Sequence, residues 1–361
     1  NGIHVLFTGG DLSHIGAVSV CDPGSAAQTL TMPGHKEQYI SAPWAKAIAD
    51  ASGIGLMEID QMKKEGYDAE FSCAITAASA TVGPIFPPSI PMVIYAMLSG
   101  ASIGKLFMGG MVPGVLLAIL LMIYVAFISH KRNYPAGVVM SKREFLKATL
   151  QALPALFTVV ILLGGIYSGI CTPTEAGAVA SAYALIISAL IYKTLGWKKL
   201  WGIIKKSAAN TATLALLCGT SMLFSYIISL EQVPRVVASL VMGITDNKYI
   251  FLFIVNIVFL LLGCVLDVST IQLVFVPMVL PLVQAMGIDL VHFGVVICLN
   301  MMIGLSTPPF GMLLFIVSGL GKTKIKGVIR EILPMVLIMI GLLFLVTYVP
   351  DIIMFIPNNF M

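Results

Sequence analysis

Residues 83–91 read Gly-Pro-Ile-Phe-Pro-Pro-Ser-Ile-Pro and place four prolines inside an apolar stretch. A proline removes a backbone donor and clashes with the preceding helical turn, so no regular helix continues through this segment. Helical patterns precede it at residues 71–83 and resume at residues 92–98. Because lipid cannot satisfy the freed carbonyl groups, we expect the break to be buried in protein or to line a cavity.

The same device recurs near the other end of the chain, where residues 304–311 read Gly-Leu-Ser-Thr-Pro-Pro-Phe-Gly. Asp68 precedes Pro87 by 19 residues, and Asp289 precedes Pro308 by 19 residues. Two ordered copies of one set of features predict an internal repeat that contains two Pro-Pro-broken helices.

Each copy of the pattern begins with an aspartate and a short apolar segment. Asp50 and Asp267 occupy these positions, and neither following segment is long enough to cross a membrane twice. We interpret both segments as re-entrant hairpins, the second over residues 267–286. An acid in a membrane segment is a candidate functional group, but near a segment end it can also cap a helix or reach the interface.

The composition indicates that most of the chain lies in a membrane. Of the 361 residues, 58% are hydrophobic and 11% are charged, against about a quarter charged in soluble domains. This predicts an all-α polytopic membrane protein, and a net charge of +4 gives no reason to expect a nucleic-acid partner. The apolar stretches that can each hold a span of roughly 20 residues are residues 106–129, 152–170, 175–192, 208–230, 249–266, 291–320 and 332–350.

The distribution of basic residues predicts the orientation of the two copies. Cytoplasmic loops collect lysine and arginine, and such clusters lie at residues 131–147, 193–206 and 322–330. Counting crossings from these clusters puts residues 66–68 inside and residues 287–289 outside, which makes the repeat inverted. The count needs an odd number of crossings between Lys206 and Gly287, where two apolar segments fit. We therefore expect one of these two segments to cross the membrane incompletely, with an in-plane helix in residues 231–248. If both segments cross fully, the two copies of the repeat are parallel.

The breaks supply candidate ion and substrate ligands. Unwound carbonyls and hydroxyls are hard oxygen ligands that suit Na⁺, and half-helix N-termini suit a substrate carboxylate. We expect Na⁺, and no other cofactor, near Ser79, Ser89, Ser306 and Thr307. Each hydroxyl can instead bond back to a carbonyl of its own helix. The full candidate set is Asp50, Ser79, Thr81, Pro87, Pro88, Ser89, Asp267, Ser269, Thr270, Asn300, Gly304, Ser306, Thr307, Pro308 and Pro309.

Three other features have simpler explanations. Residues 100–104 match Gly-x-Ser-x-Gly around Ser102, but that motif needs a strand–turn–helix setting with histidine and acid partners. An intramembrane hydrolase that uses Ser102 is the alternative function.

Thr172 and Glu175 predict a capped helix start, and we expect His292 to be a packed side chain rather than a proton relay.

Six segments in combination resemble the large membrane subunit of the tripartite ATP-independent periplasmic (TRAP) transporters, within the ion transporter superfamily. The resemblance covers roughly residues 47–350. It implies an elevator-type protein of the bacterial inner membrane that imports a small carboxylate with Na⁺, such as a C4-dicarboxylate or sialic acid. It also implies a small four-helix membrane subunit and a periplasmic binding protein as partners. The six segments are residues 66–68, 77–89, 102–107, 169–176, 287–294 and 300–311.

The chain departs from this family at two places. The family's first hairpin tip resembles Gly-Ser, and this chain has Ala45 and Lys46 at those positions. A lysine thus stands where the resemblance implies a hydroxyl that faces the first sodium ion. Residues 1–44 scarcely match, so we expect an irregular segment and a missing or aberrant N-terminal part; a non-transporting remnant is a further alternative. The predicted organisation continues with a first repeat at 45–130, a basic loop or amphipathic helix at 131–151, a second repeat at 152–350 and a tail at 351–361.

Overall fold

The computed structural model describes residues 29–30, 40–41, 55, 58–134, 142–193, 195–232 and 247–360. Two short strands, β1 (Thr29–Leu30) and β2 (Ile40–Ser41), pair antiparallel. Residues 58–64 are helical. The longer helices are α1 (Ala69–Ala80), α2 (Ile90–Ser99), α3 (Ile103–Lys131), α4 (Lys142–Tyr167), α5 (Pro173–Leu190), α6 (Trp197–Leu230), α7 (Lys248–Val265), α8 (Val268–Ala285), α9 (Leu290–Leu305), α10 (Met312–Gly321), α11 (Ile325–Tyr348) and α12 (Asp351–Phe360).

Five of the described helices are long and apolar enough to cross a membrane, namely α3, α5, α7, α8 and α11. Helices α2, α9 and α10 are apolar but shorter. The apolar stretch predicted at 291–320 is divided between α9 and α10, as its prolines require. The prediction of an all-α polytopic membrane protein is therefore confirmed.

The chain divides into two compact units. The first comprises Asn1–Ala80, Leu121–Ala209 and Ile316–Glu331, and the second comprises Thr81–Leu120, Asn210–Phe315 and Ile332–Met361. Both proline breaks and most of the candidate site residues belong to the second unit.

An ion-pair cluster in the first unit joins the ends of three helices. The guanidinium of Arg132, just after α3, lies 3.3 Å from the carboxylate of Asp68, just before α1. It also lies 2.7 Å from the carboxylate of Glu331 on α11. The Tyr134 hydroxyl donates to Asp68, and hydrogen bonds to Tyr134 and Glu331 raise the pKa of Arg132. These contacts bring Asp68 together with the start of the basic segment at residues 131–147.

The prediction of a hairpin confined to residues 267–286 is wrong. Val268–Ala285 forms the single helix α8, which includes Pro277 and Pro281. The turn comes before this helix, where Leu266 and Asp267 separate it from α7. Membrane helices tolerate prolines in their interior, and here neither proline divides the segment.

The structure also bears on several smaller predictions, and others fall outside the described residues. Residues 142–151, assigned to a basic connection, begin α4, and most of the predicted tail forms α12. Thr172 Oγ1 accepts from Glu175 N at 3.3 Å and the Glu175 carboxylate accepts from Thr172 N at 2.8 Å, which confirms the predicted cap. The hairpin around Asp50 and most of residues 231–248 lie outside the described residues, as do residues 1–44 apart from β1 and β2.

Candidate ion and substrate site

The first break lies where the prolines predict it. Helix α1 ends at Ala80, α2 begins at Ile90, and the peptide bond between Pro87 and Pro88 is cis. Ser89 caps α2: its Oγ accepts from Met92 N at 3.3 Å and donates to Pro84 O. Ser89 is 1% exposed, which confirms that the break is buried in protein.

Helix α3 packs directly on the backbone of the first break. A Cβ atom added to Gly110 would lie 2.7 Å from Ile85 O and would also overlap Met92 Cε. Such approaches are closer than real Cβ contacts, so a glycine is needed at this position. The backbone of the break near Ile85 is thus covered by a neighbouring helix, as expected for irregular backbone at membrane depth.

The second break separates α9, which ends at Leu305, from α10, which begins at Met312. The Pro308–Pro309 peptide bond is also cis. Ser306 Oγ and Thr307 Oγ1 both donate to Ile303 O, at 2.9 and 2.7 Å. Pro309 is exposed whereas Ser306 is fully buried.

A polar network anchors α9 ahead of the second break. Asn300 Nδ2 donates to the backbone and side-chain oxygens of Asn256 on α7, at 2.9 and 2.8 Å. Asn256 Nδ2 donates to Thr347 Oγ1 on α11 at 3.0 Å. All three side chains are at most 1% exposed, and Asn300 Oδ1 has no hydrogen-bond partner among the described residues. The network therefore offers one buried amide oxygen that protein donors leave free.

Gly304 has a packing role. A Cβ atom added to Gly304 would lie 2.7 Å from Gly263 Cα on α7, and one added to Gly263 would lie 3.1 Å from Gly304 Cα. Small residues at such a seam let two membrane helices approach closely. Gly304 thus lets α9 pack tightly on α7 just before the break.

Gln272 is a polar residue of this region that the sequence analysis missed. It lies on α8 and is fully buried. Its Nε2 donates to Pro91 O on α2 at 3.0 Å and to Cys298 Sγ on α9 at 3.4 Å. Its Oε1 has no partner within the described part of the chain. An amide in the middle of an otherwise apolar membrane segment was the available signal, since such groups join helices in membranes.

The other predicted site residues are distributed between the two units. Asp267 caps α8, where its carboxylate accepts from Ser269 N at 3.1 Å. Ser269 is buried, Thr270 is exposed, and Thr81 Oγ1 donates to Met339 Sδ at 3.6 Å. These four residues belong to the second unit, whereas Ser79 belongs to the first. Asp50 lies outside the described residues.

Back-bonding, the alternative weighed for each hydroxyl, is confirmed at three positions. Ser79 Oγ donates to Thr76 O at 3.2 Å, and Ser306 and Thr307 share the Ile303 carbonyl. A hydroxyl that donates its proton keeps two acceptor lone pairs. Back-bonding therefore orients these oxygens without removing their capacity to coordinate a cation.

The packed role predicted for His292 is confirmed, and Ser102 has a structural contact that was not predicted. His292 is 2% exposed, and its Nε2 lies 3.0 Å from Val346 O, as a packed histidine should. Ser102 is exposed at the start of α3, where its Oγ accepts from Lys105 N at 3.4 Å. Within the described part of the chain, no group of three or more His, Cys, Asp or Glu side chains is arranged to hold a metal ion.

Comparison with known proteins identifies the family. The family model described as "Tripartite ATP-independent periplasmic transporter, DctM component" matches residues 46–352. The chain belongs to this DctM family. A second family model, described as a prenylated flavin chaperone LpdD-like domain, matches residues 1–55.

Several similar proteins are named as TRAP transporter permeases. The chain is 40% identical over 315 residues to the sialic acid TRAP transporter large permease protein SiaM of Vibrio cholerae, covering 87% of this chain and 74% of that protein. It is 39% identical to the sialic acid TRAP transporter permease protein SiaT of Haemophilus influenzae, covering 86% of this chain and 51% of that protein. It is 36% identical to the C4-dicarboxylate TRAP transporter large permease protein DctM of Pseudomonas aeruginosa, covering 86% and 73%.

Membership of the DctM family confirms the predicted resemblance. The chain is a component of a tripartite transporter and not an enzyme. The hydrolase alternative around Ser102 is therefore rejected, and the structure gives that residue the role of a helix cap instead.

Proposed function

We propose that this chain is the large membrane component of a Na⁺-coupled secondary transporter that imports a small carboxylate across a bacterial inner membrane. A periplasmic binding protein delivers the substrate, and a small four-helix membrane subunit supports the large one. The observation that carries the proposal is the pair of proline breaks, each inside an apolar helical run and each lined by buried oxygen atoms.

Most ion ligands of this proposal are neutral oxygens. Ser89, Ser306 and Thr307 lie at the breaks with lone pairs remaining after their own hydrogen bonds. Asn300 Oδ1 is fully buried and unpartnered within the described residues. Oxygen dipoles of this kind replace the hydration shell of a monovalent cation without placing a full negative charge in the membrane. Asp267 at the turn before α8 and Asp50 in the first copy are the proposed acidic contributors.

The substrate class follows from the helix ends. Helix α10 begins at the second break and presents N-terminal backbone N–H groups in the middle of an apolar run. Helix α2 begins at the first break, where Ile90 keeps its N–H while Pro91 has none and Met92 N is bonded to Ser89 Oγ. Such ends attract anions. The names of related proteins specify sialic acid, C4-dicarboxylate and 2,3-diketo-L-gulonate, all of which are organic acids. We therefore infer a carboxylate substrate of this general size.

An inverted repeat with an elevator movement completes the proposal. Tyr95 Oη on α2 donates to Leu290 O at the start of α9 at 2.8 Å, so α9 begins beside the second half of α2. This is the arrangement expected if the second broken helix enters from the side at which the first one ends. In this interpretation α7 and α8, joined at Leu266 and Asp267, form the second re-entrant hairpin and carry its tip.

The proposal is tested by uptake into proteoliposomes. The chain is reconstituted with the small subunit and binding protein of the Vibrio cholerae sialic acid system, and labelled sialic acid or succinate is supplied. We expect uptake under an inward Na⁺ gradient and none under an equal K⁺ gradient. A parallel preparation replaces residues 1–55 with the corresponding part of the Vibrio cholerae protein. Uptake by that form alone supports the non-transporting remnant, and uptake by neither, for every carboxylate, contradicts the proposal.

A further inference from the structure

We propose that Gln272 is a positioning residue that couples the helix after the second hairpin turn, α8, to the helix after the first break, α2. In this role it sets the ion affinity of the first break. The inference rests on the proposed Na⁺-coupled function and adds a residue that neither the family resemblance nor the candidate site contained.

The geometry places one amide between three helices that carry candidate ligands. Gln272 Nε2 donates to Pro91 O, two residues after the helix cap Ser89, and lies 3.4 Å from Cys298 Sγ on α9. Asn300 follows two residues later on α9. On α8, Ser269 precedes Gln272 by three residues, so the two buried side chains share a face next to the capping residue Asp267. A movement of α8 relative to α2 must therefore break the bond from Gln272 to Pro91.

Fold stability alone does not explain an amide at this position. Oε1 of Gln272 is buried and has no partner among the described residues, and an unsatisfied buried acceptor is unfavourable. Pro91 O lies inside α2, where the N–H four residues later is its regular helical donor. A leucine of similar size would remove the unpaired oxygen and leave the helical bond intact. The amide therefore has a role beyond packing, because each unsatisfied buried group calls for an explanation.

The decisive comparison is between Gln272→Leu and the matched control Gln284→Leu, which changes an exposed glutamine on the same helix. Three quantities are measured on the reconstituted complex and the purified chain: the Na⁺ concentration at half-maximal uptake, the melting temperature, and hydrogen–deuterium exchange of peptides over residues 81–95. We expect Gln272→Leu to raise the half-saturating Na⁺ concentration about tenfold, equal to about 1.4 kcal/mol. The melting temperature should stay unchanged or rise, exchange around Ser89 should accelerate, and Gln284→Leu should change none of these.

Gln272→Glu provides a second variant of the same length. A protonated carboxyl group can donate to Pro91 O, whereas a carboxylate cannot. A carboxyl group buried in apolar surroundings favours its protonated form, so this variant keeps a donor to Pro91 O. Its half-saturating Na⁺ concentration should therefore stay close to that of the unaltered chain, and a rise as large as that of Gln272→Leu would contradict the proposal.

The outcomes separate this inference from the function on which it rests. If the unaltered chain transports without Na⁺ dependence, the proposed function fails. The exchange measurement then decides the role of Gln272, since accelerated exchange supports it and unchanged exchange overturns it. If transport is Na⁺-dependent but Gln272→Leu has the half-saturating Na⁺ concentration of the unaltered chain, the positioning role is wrong while the function stands. The same holds if the only change in Gln272→Leu is a lower melting temperature.

Discussion

The two proline breaks have similar sequences but are held by different contacts. The first is held from its downstream side, where Ser89 caps α2 and Gln272 reaches across from α8 to Pro91. The second is held from its upstream side, where Asn300 bonds to α7 and Gly304 packs against Gly263. Repetition of a sequence pattern thus reproduces the break itself but not the contacts that fix it.

This difference bears on how each half of the site can move. The hydroxyls of the second break both donate to one carbonyl of their own helix, Ile303 O, and the chain then reaches the exposed Pro309. At the first break, the oxygen of Ser89 is itself part of the cap of the following helix. We therefore expect substitutions at the first break to change stability and ion affinity together. Hydroxyl substitutions at the second break should change ion affinity alone.

The largest effects are expected where glycine contacts hold the breaks. Gly304→Ala would bring Cβ to 2.7 Å from Gly263 Cα, and Gly110→Ala would bring it to 2.7 Å from Ile85 O. Overpacking of this kind costs about 1–3 kcal/mol, so thermal unfolding of the purified chain should begin several degrees lower and uptake should be lost.

The control for the glycine variants is Gly341→Ala on α11, where an added Cβ meets nothing within 4 Å. It should be neutral or should stabilise by about 0.5–1 kcal/mol, since alanine favours helix over glycine. If Gly304→Ala has the same melting temperature as Gly341→Ala, the close approach of α9 to α7 is wrong.

The next largest effect concerns the amide network that holds the second break. Asn300→Ala removes the donor that satisfies Asn256 Oδ1, and leaving a buried acceptor unpaired costs about 1–3 kcal/mol. Because the two residues share their bonds, the free energies of unfolding of Asn300→Ala and Asn256→Ala should not add in the double variant. Additive losses within about 0.5 kcal/mol would show that the network is not coupled.

A smaller pair of effects compares one hydroxyl from each break. Ser89→Ala removes a helix cap and should lower the free energy of unfolding by about 1 kcal/mol. Ser306→Ala removes a bond back to its own helix, which stabilises little, so its unfolding should match that of the unaltered chain. Both variants should raise the half-saturating Na⁺ concentration for uptake. Equal stability losses would mean that the two breaks are held alike.

The sequence predicted the breaks well because proline acts locally. Prolines located the interruptions between α1 and α2 and between α9 and α10, whereas the bounds predicted for α1, residues 71–83, differ from the observed Ala69–Ala80. The hairpin predicted at residues 267–286 is wrong because Pro277 and Pro281 lie inside one continuous helix and do not interrupt it. Gln272 was missed because its role depends on Pro91, 181 residues earlier in the chain.

The smallest expected effect is the loss of stability when the ion pairs of Arg132 are removed, and its dependence on salt distinguishes these pairs from the neutral hydrogen bonds of Asn300. Arg132→Gln removes the ion pairs to Asp68 and Glu331, and partly exposed pairs of this kind contribute about 0.2–1 kcal/mol each. The melting temperature of the variant should therefore fall slightly at low salt and approach that of the unaltered chain at high salt, where screening weakens the pairs. Arg330→Gln, at an exposed neighbouring position, is the control. Asn300→Ala involves neutral groups, so its loss should persist at every salt concentration; a loss that vanished with salt would mean that charge also fixes the second break.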